Sequence, residues 1–324
     1  MLYQNVQVVL SALGVVINGF TLILALTKSP RIMRLCAVII AIKTTTDIMA
    51  SVMNAFTMSR IVTDGNYIFI IPTGYCTSIG PTACYSGHMF YICFLECNLI
   101  WMISSYIFRY YILYVKDPKR KTIQLTAFCL ITPCFFHMTA WISFFERKTD
   151  VIPFEKVGLE PGNIFILGGT VVYYSTITLF IQLFITGILV VCSYFWIRRV
   201  LINYSQIMGA ISRETKNLNK LLVKIVTFQV FLPSFIFLGV FLFFIQFFNV
   251  YHHVLLEYSI SIVFMLSPIL SPFSYLLFVP HYRNFFLFKR TRSDSTTSLE
   301  LRAMRMRNRT TRIIITSTSG TVIV

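Results

Sequence analysis

Seven stretches of the chain run with almost no charge: residues 8–27, 35–58, 82–113, 122–145, 168–197, 221–248 and 254–279. A helix needs about 20 mostly apolar residues to cross a bilayer, and each stretch is long enough. Apolar runs this long exceed any strand, and a helix satisfies its own backbone in lipid. The pattern therefore predicts an all-α integral membrane protein, a seven-transmembrane helix bundle. Pro72, Gly74, Gly80 and Pro81 predict irregular structure before the third helix. No repeat unites the segments, and none outside them is long enough to fold alone. The chain divides into a membrane domain, residues 1–288, and a basic tail, residues 289–324, expected to be disordered.

Composition agrees. Of 324 residues, 56% are hydrophobic and 12% charged, with 31 Phe. A soluble domain carries about twice that charged fraction. A net charge of +16 would suit nucleic acid in a soluble protein. Here the charges cluster in short blocks between apolar runs, so no nucleic-acid partner is expected. Of 28 Lys and Arg, 23 fall on one side of the predicted bundle. They lie at positions 28–34, 109–121, 198–224 and 283–312. Only Arg60, Arg147, Lys148 and Lys156 fall on the other side, and Lys43 lies within a span. The positive-inside rule makes the crowded side cytoplasmic and places the N-terminus outside. Residues 1–27 hold no charge and no evident cleavage site, so the first run reads as a spanning helix, not a signal peptide.

Polar groups at membrane depth are costly and mark candidate sites. Asp47 lies near the middle of the second helix, with Lys43 one turn away on the same face. The two could form an ion pair, Lys43 could reach the headgroups, or both could belong to a polar centre that shifts with conformation. Asn18 is at comparable depth and could hydrogen-bond to Asp47. Glu96 sits mid-way along the third helix, about two turns below His88. It could hold a cationic or hydrogen-bonding ligand, or bond as a protonated acid to a neighbouring helix. His88, Tyr85, Tyr91, Tyr173, Tyr174, Gln246 and Glu257 lie toward the outer ends of their helices and could line an outward-facing cavity, although Tyr also anchors helices at the interface. Pro133, Pro233, Pro268 and Pro272 each remove a backbone hydrogen bond and permit a kink, hinged or static. The eight Cys form no C-x-x-C pair, which argues against a zinc site or a thioredoxin-type motif. No metal and no cofactor is expected.

The order of these motifs resembles the G-protein-coupled serpentine receptors. Phe108-Arg109-Tyr110-Tyr111 is similar to the D-R-Y signature, with Phe in place of the acid. Ser271-Pro272-Phe273-Ser274-Tyr275 resembles N-P-x-x-Y, with Ser for Asn. Asn18 and Asp47 stand where that superfamily keeps its first-helix Asn and second-helix Asp. Pro233 matches its sixth-helix proline, without the preceding Trp. His281 to Phe286 resembles the start of a short amphipathic helix after the seventh span. More closely, the chain resembles the nematode chemosensory serpentine receptors of class D. Thr27-Lys28-Ser29-Pro30, Gly80-Pro81-Thr82-Ala83-Cys84-Tyr85 and residues 108–113 carry that likeness.

The resemblance implies a chemosensory receptor without enzymatic activity, in the plasma membrane of sensory-neuron cilia. A small molecule would bind among the outer helix halves, and a heterotrimeric G protein and membrane lipid would meet the basic side. Asn18, Asp47, Arg109, Tyr110, Pro233, Pro272 and Tyr275 would form the conformational switch. The loop from 146 to 167 holds no Cys, so the family's usual disulfide from the third helix to that loop cannot form. Cys76 and Cys84 could pair with each other or remain free thiols. A seven-span channel or transporter is the alternative function. Against it stand the lack of an internal repeat and of paired broken helices. No G-x-S-x-G, H-E-x-x-H, G-x-G-D or D-H-H-C sequence suggests an intramembrane enzyme.

Overall fold

The computed structural model describes residues 2–29, 34–64, 67–114, 120–147, 166–207, 224–225, 227–251 and 253–286. Among these the chain forms α1 (Leu2–Thr27), α2 (Arg34–Thr57), α3 (Pro81–Tyr114), α4 (Arg120–Arg147), α5 (Thr170–Ile207), α6 (Leu232–Phe247) and α7 (Val254–Leu270). Two short helices, α8 (Phe273–Phe278) and α9 (Pro280–Phe286), follow. Seven spans among the described residues are long and apolar enough to cross a membrane. The seventh is α7 continued through α8. The sixth extends back to Thr227, but turns at residues 230–231, where Phe231 N–H bonds to the Phe228 carbonyl and Pro233 enters the first turn of α6. Proline lacks the N–H that would continue the ladder, so the break falls in front of it. Pro133, by contrast, lies within an uninterrupted α4.

A hairpin departs from the helical pattern. β1 (Ser59–Asp64) and β2 (Tyr67–Pro72) pair antiparallel, from Ser59↔Pro72 to Asp64↔Tyr67. Met58 makes the joint with α2, its φ of 41° turning the chain out of the helix. β2 carries Ile68, Phe69, Ile70 and Ile71, all buried, and Ile70 pairs with Leu167 just before α5. The hairpin therefore packs into the end of the bundle. A 3-10 turn (Tyr75–Ser78) leads into α3, and a disulfide joins its Cys76 to Cys84 in the first turn of α3. Gly74 sits against the end of α2, where a Cβ would lie 2.2 Å from the Phe56 carbonyl oxygen.

α3 is the axis of the bundle. Cys84, Tyr85, Leu95, Cys97, Leu99 and Tyr106 are fully enclosed, and Phe180 of α5, Phe243 of α6 and Phe264 of α7 stack in the same core. Close approach of neighbouring helices relies on small residues, as lipid-embedded packing does. Gly239 faces the Phe264 ring and Gly187 faces Phe237. A second cluster at the opposite end joins Leu24, Ile40, Tyr275, Leu276 and Tyr282. There α9 packs back on α1: Ser29 Oγ and Tyr282 OH are 2.5 Å apart, and Phe20 meets Phe285 and Phe286.

Candidate functional site: a buried polar centre and a plugged bundle mouth

Among the described residues two extended polar assemblies lie within the bundle, and α7 contributes to both. The first surrounds a break in the seventh span. Pro272 has no N–H, so the Pro268 carbonyl, four residues earlier, loses its helical donor. Asn18 supplies one. Its Nδ2 donates to the Pro268 oxygen at 3.0 Å and to the Gly14 oxygen of its own helix at 2.9 Å. The expected bond from Asn18 to Asp47 is not made, because the orphaned carbonyl takes the amide instead.

Asp47 is paired with Lys43, Nζ to Oδ2 at 2.9 Å, and both are buried. Lys43 does not reach the headgroups. The same ammonium also donates to Ser271 Oγ at the α7–α8 break. Ser271 stands where the family motif has Asn, and the hydroxyl accepts from a neighbouring cation. On the other flank, Gln229 Nε2 donates to Tyr275 OH at 2.8 Å and to Ser274 Oγ at 3.3 Å. Thr46 donates to Asn98 Oδ1 of α3 at 2.8 Å. The centre thus ties α1, α2 and the sixth span to one short break. Asn18, Asp47, Pro272 and Tyr275 lie within it. Pro233 sits one turn beyond Gln229. The side chains of Arg109 and Tyr110 lie outside the described residues.

The second assembly fills the hairpin end. Tyr3 OH donates to the Ser59 carbonyl at 3.1 Å, and Ser261 Oγ donates to the same oxygen at 2.9 Å. Gln7 Nε2 donates to Tyr3 OH at 2.6 Å, and His88 Nδ1 is 3.2 Å from Ser59 Oγ. Next along β1, Arg60 pairs with Glu257 at 2.5 Å, and its guanidinium lies 5.0 Å from the Tyr258 ring centroid. Tyr3 packs on the other partner of that contact, 3.9 Å from Tyr258 between centroids. The hairpin therefore occupies ground that His88 and Glu257 were expected to leave open.

The remaining expected contacts divide by depth and by face. Glu96 accepts from Gln182 of α5, so it bonds to a neighbouring helix in this structure. Tyr85 OH donates to Ser175 Oγ at 3.1 Å. Tyr173 is half-buried, whereas Tyr174 is 59% exposed on the bundle exterior, which places it away from the other candidates. Gln246 and Tyr91 are buried. Neither the Gln246 amide nor the Tyr91 hydroxyl has a hydrogen-bond partner among the described residues. Buried polar groups in native proteins are nearly always satisfied, so these two are among the groups to explain, and they lie at the hairpin end of their helices, unlike Asn18 Oδ1 and Asp47 Oδ1 in the polar centre. Sequence reasoning passed over Arg60, Tyr3, Ser261 and Gln229. Arg60 carried a usable signal as one of four basic residues on the sparsely charged side.

The polar break in the seventh span and the α3-centred bundle accord with the sequence match over residues 3–288 to the family described as Serpentine type 7TM GPCR chemoreceptor Srd. The chain belongs to this family. It is 53% identical to Serpentine receptor class delta-30 of Caenorhabditis elegans over 320 residues, covering 99% of this chain and 98% of that one. Serpentine receptor class delta-26 of the same organism is 57% identical over 284 residues, 88% and 89% of the two chains. With class delta-28 the identity is 54% over 300 residues, 93% of each. As a member of the Srd family the chain is a multi-pass membrane protein of chemoreceptor type.

Proposed function

We propose that this Srd protein binds a small molecule at its hairpin end and signals to a heterotrimeric G protein at the opposite end. The hairpin end faces outward, and the basic loops face the cytoplasm. The orientation rests on the 23 Lys and Arg on one side against four on the other. Among the described residues the polar centre around Ser271 and Pro272 carries the reading. A helix break held by Lys43 and by Asn18, with Gln229 just beyond it, can be held in more than one arrangement with little loss of helix. A ligand shifts such an equilibrium only by binding its two states unequally. Gln246 and Tyr91, buried without partners among the described residues, are groups a ligand could satisfy.

The basic end suits anionic lipid and the acidic surface of a partner protein. Family membership favours a receptor over an enzyme, and sensory-neuron cilia over internal membranes. The test is reconstitution in nanodiscs with a heterotrimeric G protein, screening small molecules for accelerated guanine-nucleotide exchange. Dose-dependent exchange supports the reading. Ligand-gated ion flux through the purified protein in liposomes, with no exchange on any G protein, would replace it with a channel.

A further inference from the structure

The surroundings of Arg60 are those of a cation site. Glu257 supplies a carboxylate, and Tyr258 supplies a ring face 5.0 Å from the guanidinium carbon. Tyr3 backs the Tyr258 ring at 3.9 Å and is itself fixed by Gln7. A carboxylate beside an aromatic face is the recurrent arrangement for holding ammonium and guanidinium groups. All of these wall residues belong to long helices, Tyr3 to α1 and Glu257 and Tyr258 to α7. The cation does not. Arg60 belongs to a two-stranded ribbon, an element of marginal stability by itself.

We propose that Glu257, Tyr258 and Tyr3 form a ligand site for an organic cation, an ammonium or guanidinium, which Arg60 occupies as an internal ligand until a diffusible one displaces it. The proposal deepens the reading of the hairpin end as the ligand end and rests on it. Charge selects the class of ligand. Once Arg60 leaves, a neutral or anionic molecule would leave Glu257 without a counter-charge in a nearly enclosed position, which is costly. An organic cation restores both the ion pair and the ring contact. Access also fits: the Arg60 and Glu257 side chains keep 17% and 10% of their surface, so the pair sits at the rim of the plug, not sealed beneath it. Displacement has a further consequence. Ser59, adjacent to Arg60, is bonded through its carbonyl to α1 and α7 and lies beside His88 of α3. Release of Arg60 therefore loosens a strand that ties three helices together.

A tethered group competes at an effective concentration in the millimolar range or above. Removing it should therefore sharpen the response to a free cation. The full-length protein in nanodiscs is titrated with methylguanidinium while its thermal unfolding midpoint is followed, with uncharged methylurea as the shape control. Arg60→Ala should show a saturable rise with a half-point on the order of millimolar, as expected for a ligand of a few heavy atoms. The native protein should need at least about tenfold more probe, because Arg60 competes. Arg60→Ala combined with Glu257→Gln should not respond, and methylurea should do nothing in any variant. If Arg60→Ala does not yield monodisperse protein, Arg60→Gln, which keeps a donor toward Glu257, carries the same titration. No saturable response in the Arg60 variant, an undiminished response after Glu257→Gln, or equal effects of methylurea would each overturn the proposal. None of these readouts involves a G protein. A protein that binds the probe in this pattern yet never drives nucleotide exchange would refute the signalling role alone. One that signals to neutral ligands regardless of Glu257→Gln would refute the cation site alone.

Discussion

Replacing Asn18 by Leu tests whether the Pro268 carbonyl depends on a donor from another helix. Asn18 is fully buried, and Leu keeps its heavy-atom count and branching, so no cavity is introduced; its two methyls are bulkier than the amide, a cost common to both backgrounds compared below. What is lost is the bond to the Pro268 oxygen at 3.0 Å, together with the bond to the Gly14 oxygen at 2.9 Å, which lies within α1 and is common to both backgrounds. An unpaired buried carbonyl costs about 1–3 kcal/mol. Interhelical hydrogen bonds inside membrane proteins measure lower, about 0.6 kcal/mol on average and about 1.7 at most. Leu also removes Asn18 Oδ1, a buried acceptor without a partner among the described residues, which offsets part of the loss. The expected net cost is about 1 kcal/mol. The decisive measurement is a double-mutant cycle with Pro272→Ala. The alanine brings back the N–H that can return to the Pro268 carbonyl, so Asn18→Leu should cost about 1 kcal/mol less in that background. The Oδ1 effect is common to both arms and cancels. Unfolding free energies are read by steric trapping in bicelles. If the two substitutions add within about 0.5 kcal/mol, the carbonyl does not rely on Asn18.

Breaking the buried pair with Lys43→Met should destabilise the protein by about 3–5 kcal/mol, whereas Lys43→Met with Asp47→Leu recovers most of the loss; equal thermal midpoints for the single and double variants would count against it. Cys84→Ser opens an eight-residue loop and should cost about 2–3 kcal/mol; thermal unfolding compared with native protein under reducing agent, which should match the variant, is the check. An epitope fused ahead of Met1 should be accessible on intact cells and one after Arg312 only after permeabilisation; tail labelling of intact cells would reverse the orientation. Arg109→Lys should reach the surface and bind ligand yet lose most G-protein signalling, because Lys lacks the planar donor fork; full signalling at matched surface level would reduce Arg109 to an anchor.

The seven spans were legible because lipid imposes a simple rule on length and charge, although the helices do not all end with the apolar runs: α5 continues to Ile207, ten residues past residue 197. Elsewhere a local cause is visible. α1 is already helical at Leu2, and its first turns are held by Gln7, which donates to Tyr3, and by Tyr3, which donates to the Ser59 carbonyl. The sixth span is divided by Pro233, and the seventh by Pro272. The hairpin was the larger omission, although its signal was present. Asp64-Gly65 and Asn66 lie between Ile61-Val62-Thr63 and Tyr67-Ile68-Phe69-Ile70-Ile71, which is a turn sequence flanked by β-branched and aromatic residues. Reading it only as the loop before a helix hid the plug, and with it Arg60. The polar centre was half legible for a different reason. Depth along a helix can be counted, so Asn18, Lys43 and Asp47 were placed together. Which carbonyl is orphaned depends on Pro272, and which helix brings Gln229 to Tyr275 depends on packing that no single segment encodes.

α7 carries the connection between the two assemblies. Glu257, Tyr258 and Ser261 face the hairpin, and Pro268 and Ser271 face the polar centre, in one continuous segment. From Glu257 to Ser271 is about 21 Å along a helix at 1.5 Å per residue. A change at the first assembly needs no chain of side-chain contacts to reach the second if α7 moves as a rod. Rigidity alone would still transmit nothing, because a rod fixed at both ends cannot shift. The distinction lies in how each end is fastened. At the hairpin end the described polar fastenings of α7 to the strand are an ion pair and a hydroxyl-to-carbonyl bond, beside the Tyr258 ring contacts with Arg60 and Tyr3. At the other end it is held by a buried ammonium and a side-chain amide to two other helices. On the proposed reading the hairpin fastening is the one a ligand reaches, and the other lies where the helix is already broken at Pro272. Release at the hairpin end would therefore be taken up as rotation or translation about the break, with the Lys43 and Asn18 bonds as its pivot.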